Sequence, residues 1–409
     1  MKAVWFEDSV PRYALSKVLG NIHSSFYYNA FSCLRYGDFP EPKLPGPKWV
    51  KIKTLMGGIC GSDIGLIRLH DSLSTSSFTS FPFVIGHENL GVIVEKGEEV
   101  ENFEIGDRVI VDPVLSCYAR DIDPPCEKCQ NWEFSQCMNF TEGSISPGLM
   151  IGACRDTGGS WGEYYVAHEF QLFKVPDKVT NENAILVDAF CSALHPVMRN
   201  FPKDSDTVLV AGAGSIGINV ISSLRTLGSK ARIIALARYK FQGELAKYYG
   251  ADEVIYTKGL DTYTLYEKVA EVTSAKVLKP ILGKPVMIGG ADVVYECVGS
   301  DSSIDDALRF TKQGGKLVLV GLVGVTKNVD WTFVWFKELK LAGTNSSSGE
   351  IFREERKRGY GIALQLMEEG LDLSQLLTHT FDLKDYRKAI EMNFHRGRFG
   401  VVKSAFVFK

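Results

Sequence analysis

Nine cysteines are spread unevenly along this chain of 409 residues. Four of them, Cys117, Cys126, Cys129 and Cys137, crowd into residues 117–137. Another, Cys60, opens a Cys-Gly-Ser-Asp, and His87–Glu88 sit further on in a Gly-His-Glu. Cysteine and histidine are the favoured ligands of zinc, and a catalytic zinc typically takes three protein ligands and leaves one position open. Cysteines spaced in this way read as metal ligands rather than disulfide partners. Taken singly, each residue has a plainer account, since a lone Cys is usually a small buried hydrophobe.

A second chemistry lies between Lys203 and Lys240. Val208–Val210 is a short β-branched run, a buried strand by composition. It feeds Gly212, Gly214 and Gly217, a GxGxxG, and then an apolar-periodic helix that begins near Ser215 and Ile216. Between strand and helix, the first glycine allows a tight turn, the second a close approach to a pyrophosphate, and the third close helix–strand packing. The free N–H groups at the helix start would hold the phosphates. The next strand, Ile233–Leu236, ends at Ala237, followed by Arg238, Tyr239 and Lys240. An NAD site usually carries an acid there for the ribose 2′-hydroxyl. Here no carboxylate repels a 2′-phosphate, and Arg238 offers a planar fork of donors to one. NADP(H) is therefore the expected cofactor.

The elements that must position these residues fall into two textures. Residues 1–55 begin and end with strand candidates, MKAVWF and VKIKTL, and carry an aromatic-rich stretch at about 10–45 of unassigned role. Residues 80–115 read as short strands between turns, a compact β-domain. Residues 116–160 are a loop-rich lobe in need of a staple. From about residue 180 strands and helices alternate, the rhythm of a doubly wound parallel sheet. Val272–Gly290 is longer than a connection needs and reads as a surface elaboration. Residues 351–369 read as a charged helix followed by an apolar-faced one.

The size predicts two domains. A formal charge of −3 with ordinary composition gives no reason to expect nucleic acid or a membrane as partner. Asp121, Asp123, Glu127 and Glu133, against Arg120 and Lys128, also argue against a nucleic-acid grip by the four-cysteine segment. Residues 1–20 lack the pattern of a secretory signal, and a cytoplasmic location is expected.

Together the motifs resemble the zinc-containing alcohol dehydrogenases of the medium-chain dehydrogenase/reductase superfamily. GHE, two residues, Gly91, five residues, Gly97, two residues and Val100 fit their signature. CGSD, GDRV at Gly106–Val109, GGSWGEYYVA at Gly158–Ala167 and GAGSIG follow the family order, over nearly the whole chain. CGSD and an acidic third ligand are similar to the polyol and threonine dehydrogenase branches.

The resemblance implies an α/β chain with a GroES-like β-rich catalytic domain at 1–186 and 344–409, a structural-zinc lobe at 116–140, and a Rossmann domain at 187–343. It implies Cys60, His87 and Asp188 as catalytic zinc ligands, with Glu88 as a carboxylate able to approach the metal. Cys191 and His195 are rival third ligands off the aligned position. Asp63 would orient His87, and Ser62 would bond the substrate oxygen and pass its proton outward. Many relatives finish that relay with a histidine where this chain has Gly65. Zinc would act as Lewis acid on an alcohol or carbonyl oxygen, and hydride would pass to the nicotinamide. Cys126, Cys129 and Cys137 match the last three ligands of the structural zinc. Cys117 is expected as the fourth, with Asp123 the alternative. Val298, Gly321 and Leu322 resemble the residues around the nicotinamide. Arg396 and Arg398 are either phosphate contacts or surface charges. A small-molecule alcohol or carbonyl substrate and a homodimer or homotetramer are expected. The alternatives are a zinc-free reductase of the superfamily, which would have lost the Cys/His/acid set, and a non-catalytic zinc-binding protein.

Overall fold

The computed structural model describes residues 1–409. The chain forms two compact units, Met1–Asp188 with Ser346–Lys409, and Ala189–Asn345.

The first unit is built on mostly antiparallel sheets, with one parallel pair, Leu377–Phe381 on Lys403–Val407. Its seven-stranded sheet runs in the order Leu377–Phe381, Lys403–Val407, Trp49–Ile59, Asn89–Lys96, Arg108–Val111 and Leu172–Lys174, with Tyr164–His168 pairing on Trp49–Ile59. Trp49–Ile59 is the central element, because its alternating start becomes Gly57-Gly58 at the end, where other chain segments come close. A β-carbon on Gly58 would meet Glu88 Oε2 at 2.0 Å, so glycine leaves the space that the carboxylate fills. A three-stranded sheet, Leu34–Asp38, Lys2–Phe6 and Phe83–Val84, closes one side.

The aromatic-rich stretch is the helix Val10–Leu19, a 3-10 turn at Ser24–Tyr27 and the strand Leu34–Asp38. Tyr27, Tyr28, Cys33 and Leu34 join a buried cluster with Ile64, Ile67, Leu69 and Phe394. The segment thus packs on the helix Gly61–Ile67 that follows Cys60.

The expected charged helix at the start of 351–369 is instead a hairpin, Gly349–Phe352 paired with Glu355–Arg358. Arg353 and Glu354 at its tip both have positive φ, 51° and 68°, the turn geometry that suits the twist of a two-residue hairpin. Turn geometry overrode the helical propensity of its Glu and Arg residues. The helix Gly359–Glu368 follows directly.

The second unit is a six-stranded parallel sheet. Its order is Glu253–Tyr256, Arg232–Ala237, Thr207–Ala211, Ala291–Glu296, Thr311–Leu319 and Lys340–Gly343, the 3-2-1-4-5-6 arrangement of a dinucleotide-binding fold. The central strands are fully buried runs of Val, Leu, Ile and Ala, as a sheet covered on both faces requires. Lys276–Leu278 and Val286–Ile288 form a separate two-stranded hairpin within the long 272–290 connection.

Candidate active site and structural metal centre

Cys60 caps the helix Gly61–Ile67, and its backbone N–H donates to Asp63 Oδ2 at 2.8 Å. The other Asp63 oxygen lies 3.4 Å from His87 Nδ1. One buried carboxylate therefore ties the two segments that bring Cys60 and His87 together. The turn carrying His87 and Glu88 is held by the GGSWGEYYVA segment. Ser160 Oγ donates to the Glu88 carbonyl at 2.6 Å, and Trp161 Nε1 to the Gly58 carbonyl at 2.9 Å. Asn89 fixes the far side by donating to the carbonyls of His87 and Val111.

The possible ligand atoms of Cys60, His87 and Glu88 all lie within 4.8 Å of one another. Burial opposes charge on the His87 imidazole, but Asp63 and Cys60 outweigh it and hold its pKa well above the ordinary value. The surroundings thus favour a positive charge. Glu88 is fully buried; one of its oxygens pairs with the buried ammonium of Lys403 and the other, Oε2, has no partner. Ser62 Oγ is likewise buried and unpartnered. A donor set of sulfur, nitrogen and oxygen with orphaned oxygens fits a zinc that keeps an open position.

Asp188 is the third ligand that the resemblance implies, and the structure groups Glu88, not Asp188, with Cys60 and His87. The Asp188 carboxylate accepts a hydrogen bond from the Tyr360 hydroxyl. Burial raises its pKa, His87 works against that rise, and Glu88 adds to it. Asp188 is thus an electrostatic neighbour of the cluster, while Glu88, adjacent to His87 in the chain, is the carboxylate assembled with Cys60. Cys191 and His195 follow on the same helix, Val187–Arg199. The space beside Gly65 faces Asp71 Oδ1, 3.2 Å from where a β-carbon would stand. Burial, and then repulsion from Asp63, push the Asp71 carboxyl up to about 6.

The second cluster gathers Cys117, Cys126, Cys129 and Cys137, again within 4.8 Å. Asp123 is exposed and outside it. The sulfurs accept from backbone N–H groups: Cys126 N to Cys117 at 3.3 Å, Met138 N to Cys126 at 3.5 Å and Asn139 N to Cys137 at 3.4 Å. A hydrogen bond from Cys129 pulls the Cys137 thiol down to about 5, into the thiolate form that metals bind. Four converging sulfurs with donors behind them fit a closed tetrahedral zinc. Arg120, fully buried, adds a second staple by donating to the carbonyls of Leu115, Glu142, Ile145, Ser146 and Gly148.

In the second unit, Gly212 has φ 103°, and a β-carbon on Gly217 would strike the Gly212 carbonyl oxygen at 1.9 Å. Gly214 faces open space and caps the helix Ser215–Thr226 without any side-chain bond, so the terminal N–H groups stay available to phosphate. Val298 packs against Gly212, and Gly321 and Leu322 against Val298 and Gly299. Ala237 is buried at the strand end, and Arg238 is exposed. The Arg238 guanidinium and the Lys258 ammonium lie 5.9 and 5.5 Å from the Tyr239 ring. Lys240 pairs with Glu244 at 3.6 Å.

Comparison with known proteins agrees with both halves. The family described as alcohol dehydrogenase GroES-like domain matches residues 46–177, and the zinc-binding dehydrogenase family matches 215–359. L-threonine 3-dehydrogenase of Alteromonas mediterranea is 30% identical over 354 residues, covering 87% of this chain and 91% of its own. The chain belongs to the zinc-containing alcohol dehydrogenase family. As a member it is a zinc-dependent oxidoreductase acting on the CH–OH group with a nicotinamide cofactor. Among solved structures, 2R,3R-butanediol dehydrogenase from Bacillus subtilis superposes with TM-score 0.71 at 23% identity, over 100% of this chain and 99% of that one. Galactitol-1-phosphate dehydrogenase from Escherichia coli gives 0.70 at 19%, over 100% of each. At these identities the likeness is one of fold.

Several residues of the two candidate sites carry little or no signal in the sequence. Lys403 carries a charge inside the apolar run VVKSAFVF without an acid beside it, which is a signal for a buried partner elsewhere. Tyr360, Asp71 and Lys258 had no such signal, because only folding brings them to Asp188, Gly65 and Tyr239.

Proposed function

We propose that this dehydrogenase oxidises a secondary alcohol, a polyol or a sugar, or reduces the matching carbonyl, with NADP(H) as hydride partner. The observation that carries the reading is the Cys60, His87 and Glu88 donor set with the buried, unpartnered oxygens of Ser62 and Glu88 at its side. Cys60 and His87 would hold zinc with one acidic side chain, Glu88 by proximity or Asp188 by family resemblance. Zinc held there supplies Lewis-acid polarisation of the substrate oxygen, and the nicotinamide supplies the hydride acceptor. Asp63 fixes the imidazole by its contact with Nδ1, so that Nε2 is left for the metal. Ser62 Oγ, lacking a protein partner, is the group available to take the hydroxyl proton of the substrate. The curated relatives named L-threonine 3-dehydrogenase support a secondary alcohol.

The NADP reading rests on the end of the Arg232–Ala237 strand. Ala237 stands where an acid would repel the 2′-phosphate, and Arg238 and Lys258 bring two cations to the face of Tyr239.

The test is a panel of alcohols, polyols, sugars and aldehydes assayed with NADP and NAD in parallel. Activity is expected to depend on bound metal and to favour NADP. Ala237→Asp should move the ratio of specificity constants towards NAD by about tenfold or more, the size of one charge–charge contact. Full activity of a metal-free preparation would sink the zinc reading, and an unmoved cofactor ratio the NADP assignment.

A further inference from the structure

The catalytic unit carries an arginine that the mechanism above does not use. Arg68 closes the C-terminal end of the helix Gly61–Ile67, whose other end is capped by Cys60. Its guanidinium lies over the Phe394 ring at 4.1 Å, and its Nη2 donates to the Phe394 carbonyl at 2.9 Å. Arg396, two residues beyond, begins the short helix Arg396–Phe399. Its charge acts directly on Cys60, Glu88 and Asp63, and it repels Arg68. Arg396 therefore lies within electrostatic reach of the donor cluster.

Arg396 is half-buried, and its guanidinium makes no hydrogen bond or ion pair. The other arginines that the fold encloses are all engaged. Arg120 donates to carbonyls, Arg358 pairs with Asp112, and Arg309 pairs with Asp305 and Asp330. A guanidinium taken partly out of water without a partner costs free energy. A plain role in balancing nearby anions accounts for it only in part, because two of them already have a cationic or N–H partner. Glu88 has Lys403, and Asp63 has His87 and the Cys60 N–H.

The aromatic stretch without an assigned role supports this arrangement. Tyr27 and Tyr28 meet Phe394 edge-on at 6.2 and 5.5 Å, and Lys17 donates to the Leu69 carbonyl beside Arg68. These contacts hold Phe394, which in turn holds Arg68 and sets the start of the Arg396 turn.

We propose that Arg396, backed by Arg68, receives an anionic group of the substrate, so that the alcohol is a hydroxy acid or a phosphorylated polyol rather than a neutral alcohol. Arginine suits this task because its fork matches carboxylate and phosphate oxygens alike. The proposal rests on the dehydrogenase reading and adds the charge of the substrate to it.

The zinc-loaded enzyme is assayed on matched pairs: 3-hydroxybutyrate against butane-1,3-diol for a carboxylate, and sorbitol 6-phosphate against sorbitol for a phosphate. Wild type should prefer the anionic member of at least one pair. Arg396→Met should reduce the anionic-to-neutral ratio of kcat/KM by about tenfold to a hundredfold. Arg396→Lys should restore part of it, and Arg68→Met should have a smaller effect in the same direction. The KM for NADP should not follow these changes. A wild-type preference for the neutral members of both pairs, or equal losses on both members in Arg396→Met, would overturn the proposal and leave the dehydrogenase reading intact. A rise confined to the NADP KM would assign the arginine to the cofactor and overturn it too. If no alcohol of either kind reduces NADP or NAD, the dehydrogenase reading itself falls. Melting curves of both Arg396 variants separate a lost contact from a lost fold.

Discussion

The two metal-ligand clusters use the same side chains in opposite ways. In the lobe, four sulfurs come from one stretch, residues 117–137, and three of them accept backbone N–H groups of the same stretch or just beyond it. In the catalytic cluster, sulfur comes from one segment and nitrogen and oxygen from another, and buried oxygens remain without partners. The first arrangement is saturated and stabilises a lobe whose own buried cluster is small. The second stores unsatisfied polarity beside the donors, as a site with an exchangeable position must. A closed ligand set provides stability, and an open one provides chemistry at some cost in stability.

The sharpest way to break this contrast is to remove one ligand from each site. Cys129→Ser should destabilise the chain on the order of 5–10 kcal/mol, near the scale of structural zinc in small domains, and lower the melting temperature steeply. Cys60→Ser should abolish turnover and release about one zinc per chain, while the melting temperature changes little. Calorimetry with metal analysis checks both; similar melting losses in the two variants would erase the distinction.

The next effect concerns which acid completes the open site. Glu88→Gln leaves Lys403 buried and unpaired, at a cost of about 3–5 kcal/mol, and should lose the catalytic metal. Adding Lys403→Met should restore most of the stability but not the metal. Asp188→Asn should keep the metal. Retention in Glu88→Gln with loss in Asp188→Asn would return the third position to Asp188.

The smallest effect is a pH dependence at the edge of the open site. The folded-state pKa of Asp71 is raised to about 6 from the ordinary carboxyl value of 3.8. Its contribution to stability is therefore complete below about 3.8 and lost as the pH rises through about 6. Allowing for partial solvent screening, Asp71→Asn should be more stable than wild type by roughly 1–2 kcal/mol at pH 8 and equal to it near pH 4. Urea unfolding at both pH values checks this, and a constant difference would rule out titration as the cause.

Much of this molecule is legible in its residues because the signals are local. Gly212, Gly214 and Gly217 lie within six residues, and their steric reasons are satisfied inside one strand–turn–helix. The last three lobe cysteines are equally local. Strand alternation and βαβ rhythm are set by side-chain period, so both fold classes could be read. The charged 353–358 segment misled because two positive-φ residues, not propensity, decided a hairpin there.

The sequence by itself determined which residue types could bind zinc and dinucleotide and in what order they occur along the chain. Tertiary structure decided that Glu88 lies with Cys60 and His87 while Asp188 lies against Tyr360, where the lone charge of Lys403 finds its partner, and that Arg396 is left without one. Those outcomes depend on contacts between residues far apart in sequence, such as Glu88 and Lys403, where no local period or spacing carries information.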